Sequence, residues 1–171
     1  MRGPGSLGLG AGGFPWNEPS EAGDQFGRAL AAGDMDGDGT DDLAIAAPFE
    51  DIGPNVNAGM VCVAYGMAGP GIIPGGGLAQ KWSQNSPGVP ERPEPGDHFG
   101  AALAIGNFDG VLGEDLAVGV PDEDRGNPTL ADMGCVNVIY SAGLGLGLNA
   151  FAPPSPQAAQ VWHQNGPGIA E

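Results

Sequence analysis

Acidic side chains alternate with other residues in one short stretch of this chain, GDMDGDGTDDLAIAAP, which spans residues 33–48. The stretch places carboxylates at positions 1, 3, 5 and 9 of a loop and a backbone carbonyl at position 7, from Asp34, Asp36, Asp38, Asp42 and Thr40. Like charges this close repel one another unless a cation lies among them. Because Ca²⁺ prefers hard oxygen ligands in this number, the spacing predicts a calcium site.

The loop differs from an EF-hand in its second half. Gly39 at position 6 permits the sharp positive-φ turn that directs the oxygens inward. An EF-hand also needs a bidentate Glu at position 12, where this chain has Ile45 within an apolar run. We therefore expect Asp42 to complete the ligand shell of a loop that joins two strands. A solvated acidic turn is the alternative, because Asp and Gly are common turn residues.

The same segment occurs twice in the chain. Residues 24–51 align without gaps with residues 97–124 at an offset of 73, and fifteen of the 28 positions are identical. The similarity continues, with small insertions, between residues 59–65 and 134–140 and between residues 82–88 and 162–168. The chain therefore consists largely of two copies of one unit.

Each copy contains four short apolar runs separated by Gly, Pro and Asp, which is typical of consecutive antiparallel strands. We predict strands at Phe26–Gly33, Asp42–Ala47, Gly59–Gly66, Ala79–Gln84, Phe99–Gly106, Asp115–Val120, Gly134–Ser141 and Ala159–Gln164. The second strand of each copy is apolar on both faces, which indicates a sheet covered on both sides. Four-stranded units at a fixed period predict an all-β fold of β-propeller blades.

A further pattern brackets each acidic loop. Phe26-Gly27 precedes the first loop and Ala46-Ala47-Pro48 follows it, while Phe99-Gly100 and Gly119-Val120-Pro121 bracket the second. This arrangement resembles the FG-GAP repeat of integrin α-chain propellers and their bacterial relatives, over about residues 18–171. The resemblance implies bound calcium, an extracellular or cell-surface location, and a role in adhesion or ligand recognition.

The repeat suggests a division into three parts. Residues 1–17 are an N-terminal extension, for which an expression remnant at residues 1–6 is one interpretation, residues 18–90 the first blade and residues 91–171 the second. An expression remnant would hide a native secretory signal, which the opening residues do not resemble. No stretch has the length of a transmembrane helix.

The second acidic loop is weaker as a calcium site. Its candidate ligands are Asn107, Asp109 and Asp115 at positions 1, 3 and 9, with the backbone carbonyls of Val111 and Gly113 and with Glu114 nearby. Val111 and Leu112 replace the position-5 carboxylate and the turn glycine. Either a distorted calcium site or a loop that has lost its ion is consistent with this sequence.

Charge limits the range of partners. Twenty-one acidic residues against five Lys and Arg give a formal charge of −16, which makes nucleic acid or an anionic membrane an improbable partner. Outside the calcium loop, acidic residues cluster after the second strand of each copy, at Glu50, Asp51, Asp122, Glu123 and Asp124. We expect these residues to confer solubility; a ligand or second cation site on a loop face is the alternative.

Two blades are too few for a closed propeller, which usually has 4 to 8. We therefore predict a head-to-tail cyclic homo-oligomer, with a trimer favoured; a fragment of a longer protein is the competing explanation.

No paired nucleophile and base, phosphate-binding loop or zinc-protease motif occurs, so a non-catalytic module is predicted. A protein or glycan ligand remains open, since Trp82 and Trp162 at matching positions are either packing anchors or sugar-stacking residues. A purely structural role is the third alternative.

Overall fold

The computed structural model of the chain describes residues 21–69, 71–72, 79–124, 131–141, 146, 159–164 and 166, and these residues have an all-β fold. The strands are β1 (Leu30–Gly33), β2 (Asp42–Ala47), β3 (Met60–Ala64), β4 (Ala79–Trp82), β5 (Ala102–Gly106), β6 (Asp115–Val120), β7 (Cys135–Ile139) and β8 (Ala159–Trp162). Each lies within one of the eight predicted strands, which confirms their number and order. The extension predicted for residues 1–17 lies outside the described residues.

The strands form two four-stranded antiparallel sheets, in the orders β1-β2-β3-β4 and β5-β6-β7-β8. The two sheets share their register at the acidic loops, because Gly33 pairs with Asp42 in the first and Gly106 with Asp115 in the second. Both loops therefore leave the sheet at the same point. These are the two sheets expected of two propeller blades.

Burial follows the apolar pattern of the central strands. All five residues of β3 are buried, and β2 is buried or half-buried along its whole length. Strand β5 of the second sheet lies against β1 and β2 of the first, which covers one side of the first sheet. Within the part of the chain that the structure describes, no helix has the length and apolar character needed to cross a membrane.

One hydrophobic core joins the two sheets. It contains side chains of the first repeat and of the second, including Val61, Trp82, Phe99, Leu116 and Ile139. Polar contacts also cross between the repeats: the Tyr65 hydroxyl accepts a hydrogen bond from the Leu146 amide (2.9 Å), and Gln80 Nε2 donates to the Leu146 carbonyl (3.0 Å). The acidic loops are therefore mounted on one continuous packed structure.

Candidate metal centre

The first acidic loop connects β1 to β2 and brings three carboxylates together. Asp34 follows the end of β1, and Asp42 is the first residue of β2. Oxygen atoms of Asp34, Asp36 and Asp42 all lie within 4.8 Å of one another. Since Ca²⁺ binds oxygens at about 2.3–2.6 Å, ligands on opposite sides of one ion are about 5 Å apart. One calcium ion therefore fits among these three side chains.

Backbone amides of the loop wrap around Asp34. Its Oδ1 accepts hydrogen bonds from the amides of Gly37 (2.7 Å) and Asp38 (3.0 Å), and its Oδ2 accepts one from Gly39 (2.9 Å). Gly39 has φ of 89°, as predicted for the turn position, and Gly37 has φ of 77°. Both glycines adopt the left-handed conformation that disfavours other residues. The role of Gly37 was missed in the sequence, although the second loop also has a glycine there, Gly110.

Asp38 lies outside the group of three carboxylates. Its side chain is exposed, and its Oδ1 accepts a hydrogen bond from the amide of Thr40 (2.7 Å). The structure thus brings together three of the four predicted carboxylate ligands and places the fourth at the edge of the loop. Participation of Asp38 and of the Thr40 carbonyl stays a prediction.

The electrostatics of the site favour a bound cation. Burial raises the pKa of Asp42 to about 6, against lowering by hydrogen bonds from the amides of Gly66 and Met35. Burial also raises the pKa of Asp36, and the nearby charges of Asp38 and Asp34 act in the same direction. The charged forms of the Asp36 and Asp42 carboxylates are therefore destabilised in the folded chain. A bound divalent cation would stabilise the charged forms and lower both pKa values. The all-oxygen donor set fits Ca²⁺.

Asp42 also has a structural role that its counterpart shares. Asp42 Oδ2 accepts a hydrogen bond from the Met35 amide and Oδ1 one from the Gly66 amide, both at 2.8 Å. Asp115 in the second repeat accepts equivalent bonds from the amides of Phe108 (2.7 Å) and Ser141 (2.9 Å). Each carboxylate ties the start of its acidic loop to the end of the third strand in its sheet. The sequence indicated this role, because the second loop keeps the position-9 aspartate, Asp115, although it lacks the position-5 carboxylate of the first loop.

The second loop is closed by its own hydrogen bonds. Asn107 Oδ1 accepts from the Gly110 amide, and Asn107 Nδ2 donates to the Val111 carbonyl, both at 2.6 Å. Asp109 Oδ1 accepts from the Val111 amide (2.8 Å). Gly113, at φ of 92°, supplies a left-handed turn one position later than in the first loop. A calcium ion in this loop stays a prediction.

The second loop braces the first. Glu114 Oε2 accepts a hydrogen bond from the Asp34 amide (2.9 Å), and the Glu114 amide donates to the Asp34 carbonyl (2.8 Å). Ser141 Oγ, at the end of the second sheet's third strand, donates to the Met35 carbonyl (2.6 Å). Glu114, expected beside an ion in its own loop, thus holds a candidate calcium ligand of the other repeat. These contacts could not be read from the spacing within either loop.

The acidic residues that follow the second strand of each sheet are partly internal. Glu50 and Glu123 are buried, which contradicts the expectation that they serve solubility. Gln84 of the first repeat donates a hydrogen bond from Nε2 to Glu123 Oε2. Asp51 and Asp124 accept hydrogen bonds from the amides six and eight residues further along, both at 2.8 Å. This group therefore stabilises the loops and the contact between the repeats.

Comparison with known proteins supports the resemblance seen in the sequence. The model of the FG-GAP repeat family matches residues 26–63, which include β1, the first acidic loop, β2 and most of β3. No curated protein matches the chain. The match confirms the resemblance to FG-GAP repeat proteins of the integrin-like propeller type.

Proposed function

We propose that this protein is a calcium-stabilised, non-catalytic recognition module of the integrin-like propeller type. The observation that carries the proposal is the convergence of Asp34, Asp36 and Asp42 in a loop of the segment that matches the FG-GAP repeat. Bound Ca²⁺ supplies charge neutralisation and fixes the loop between β1 and β2. These three side chains hold the ion, with Asp38 and the carbonyl of Thr40 as additional ligands.

The loop lies where calcium binding affects the whole structure. Its first residue is bonded to Glu114 of the second repeat, and Met35 within it is fully buried in the common core. A ligand that binds the folded chain and not the unfolded chain raises stability by mass action. Calcium therefore stabilises both repeats, although its main ligands come from one.

Recognition takes place outside the cell in this proposal. Extracellular calcium modules bind the ion at about 10⁻⁴–10⁻³ M, a range that suits a site with three convergent carboxylates, of which Asp34 and Asp36 are partly exposed. The formal charge of −16 favours a partner with basic groups, or one whose carboxylate meets a bound cation. A protein ligand is favoured over a glycan, because Trp82 is buried and the surroundings of Trp162 are mainly apolar.

Calcium titration tests the proposal. Isothermal titration calorimetry of the wild-type chain should give binding in the stated range, and a chelator should lower the thermal midpoint. Asp36→Ala should weaken binding at least tenfold, since it removes one of three convergent carboxylates. Asp109→Ala is the matched control in the second loop and should change affinity much less. A chain that shows no heat of binding and no chelator effect contradicts the proposal.

A further inference from the structure

The contact between the two repeats is built around one Phe-Gly pair. Phe99 is fully buried, and its amide donates a hydrogen bond to the Ala58 carbonyl (2.9 Å) of the first repeat. Gly59 leaves room for this segment, because a side chain there would meet the Phe99 carbonyl oxygen at 2.4 Å. Gly100 also lies against the first sheet, because a Cβ there would be 3.0 Å from side-chain atoms of Ala46 and Val61. The surface formed by Ala58, Gly59, Val61 and Ala46 of the first repeat thus binds the Phe-Gly pair of the second, and we call this surface the seat.

The second repeat has the same seat, and no described residue fills it. The residues of the first repeat that contact Phe99-Gly100 correspond to residues lining a groove of about 490 Å³ on the second sheet, Gly119, Met133, Gly134, Cys135 and Val136. Trp162, at the rim, is 44% exposed, whereas its counterpart Trp82 is 8% exposed. Val136 is 39% exposed and its counterpart Val61 is fully buried. The groove is therefore open and apolar.

The backbone confirms that the two seats are equivalent. Asn57 and Asp132 stand two residues before the seat glycines and have φ of 56° and 53°, a conformation rare outside glycine. A polar pair at the opposite end of the third strand also recurs: the Tyr65 hydroxyl donates to Gln80 Oε1 (2.6 Å), and the Tyr140 hydroxyl donates to Gln160 Oε1 (2.9 Å). The second seat is thus formed although none of the described residues occupies it.

The matching occupant is present at the other end of the described structure. Phe26-Gly27 has the backbone of Phe99-Gly100: the preceding residues, Gln25 and His98, have φ of 52° and 56°, and the two glycines have φ of 87° and 96°. Each glycine amide bonds to the second strand of its own sheet, at 2.8 Å and 3.2 Å. Yet Phe26 is 58% exposed where Phe99 is fully buried.

We propose that the Phe26-Gly27 segment of one copy of this chain inserts into the groove at Gly134 and Val136 of a second copy, so that copies associate head to tail. The local backbone supports a second copy as the occupant, because Phe26-Gly27 has the conformation of the Phe99-Gly100 pair that fills the equivalent position within the chain. The contact repeats the interface already seen within the chain, and a heterologous contact of this kind forms rings where its rotation closes.

Two single variants, studied alone and mixed, test the proposal. Phe26→Asp removes the inserting side chain and keeps the groove, whereas Val136→Asp blocks the groove and keeps Phe26. By sedimentation velocity, the wild-type chain should form species of two or more 17.0 kDa copies, and each variant alone should be monomeric. An equimolar mixture should form a complex of two chains and no larger species, because one intact contact remains.

Control variants separate association from folding. Phe108→Asp and Val56→Asp place the same substitutions at side chains that are 54% and 53% exposed and lie away from the groove, and both should assemble like the wild type. Near-ultraviolet circular dichroism should show that all four variants are folded. Association does not involve the calcium ligands. A variant that no longer associates should therefore still bind calcium, so that failure of this proposal can be distinguished from failure of the proposed function.

Several outcomes would overturn the proposal. A wild-type chain that stays monomeric at high concentration leaves no role for a second copy, and loss of stability in its Val136→Asp variant would then indicate an occupant from the same chain. Association of Phe26→Asp on its own would indicate groove-to-groove pairing. A mixture of the two variants that stays monomeric would exclude the head-to-tail contact.

Discussion

At the scale of single residues, the carboxylates of Asp42 and Asp115 combine two tasks that the sequence does not distinguish. Each is buried, and each accepts hydrogen bonds from two backbone amides that are far apart in the chain. Buried amides need acceptors whether or not an ion is bound. Asp42 is therefore needed for the fold as well as for the candidate calcium site, while Asp36 accepts a hydrogen bond from the Asp38 amide within the loop (3.1 Å).

Asp42→Asn and Asp115→Asn should both destabilise the metal-free chain by about 1–3 kcal/mol. The NH₂ group of asparagine is only a donor, so it cannot accept the hydrogen bond from one of the two backbone N–H groups. Urea unfolding in the presence of a chelator measures this loss. Only Asp42→Asn should also reduce the additional stability gained on adding calcium. A metal-free Asp42→Asn chain as stable as the wild type would show that the carboxylate acts purely as a ligand.

A second prediction at this scale concerns pH. Burial raises the pKa of Glu123 to about 7, with the charges of Asp97, Glu91 and Glu94 adding to it against the lowering effect of the Gln84 hydrogen bond. Burial also raises the pKa of Asp97 to about 6. The folded state therefore holds these protons more tightly than the unfolded state, so stability falls as pH rises from the ordinary pKa values of 3.8 and 4.5 to the folded-state values of about 6 and 7.

The metal-free chain should accordingly be more stable at about pH 5.5 than at about pH 8, and Glu123→Gln should reduce this dependence by removing one of the titrating groups. Urea midpoints at the two pH values give the comparison. Glu21→Gln, at an exposed position, is the reference and should keep the wild-type profile. An unchanged pH dependence in Glu123→Gln would contradict the assignment.

At the scale of structural elements, the two acidic loops work as a pair. The second loop supplies Glu114, Gly113 and the neighbouring Ser141 to the first, and these contacts hold Asp34 and Met35 in place. The loop with the weaker ligand set is thus a support for the loop with the stronger one. This arrangement explains why its departure from the ligand pattern need not impair the candidate site.

Glycine substitutions in the second loop test this support. Gly113→Ala and Gly110→Ala both force an L side chain into positive φ, at 92° and 78°, which costs about 1–2 kcal/mol. Only at Gly113 would the added Cβ also meet Ser141 Oγ at 2.3 Å and the Met35 carbonyl at 2.9 Å. Gly113→Ala should therefore lower the calcium affinity of the first loop several-fold in calorimetry, while Gly110→Ala should not. Equal affinities would show that the loops are independent.

Most of the elements could be predicted from the sequence, because strands and turns follow from local patterns and the repeat gives each pattern twice. The eight strands and the meeting of Asp34, Asp36 and Asp42 are of this kind. The contacts of Glu114 with Asp34 and of Phe99 with the first sheet could not be predicted. They depend on how one sheet packs on the other, and spacing along the chain carries no information about that packing.

At the scale of the whole molecule, the unit of stability is the contact between consecutive repeats. A repeat buries a continuous core only when its neighbour covers it. The first sheet is covered by the Phe-Gly segment of the second, and its third strand is buried throughout. The second sheet has the same seat without a described occupant, so its third strand is exposed at Val136. The molecule thus shows one interface in two states, filled and open.

Two phenylalanines with the same local backbone allow the energy of that interface to be measured. Phe99→Ala removes a fully buried side chain from the common core and should destabilise the chain by about 3–5 kcal/mol. Phe26→Ala removes an exposed one and, at a concentration where the chain is monomeric, should change stability by less than about 0.5 kcal/mol. Chemical unfolding of the two variants beside the wild type gives both values. Similar losses of stability for the two variants would mean that Phe26 is already packed within its own chain. The difference in burial between Phe26 and Phe99 would then have no energetic consequence.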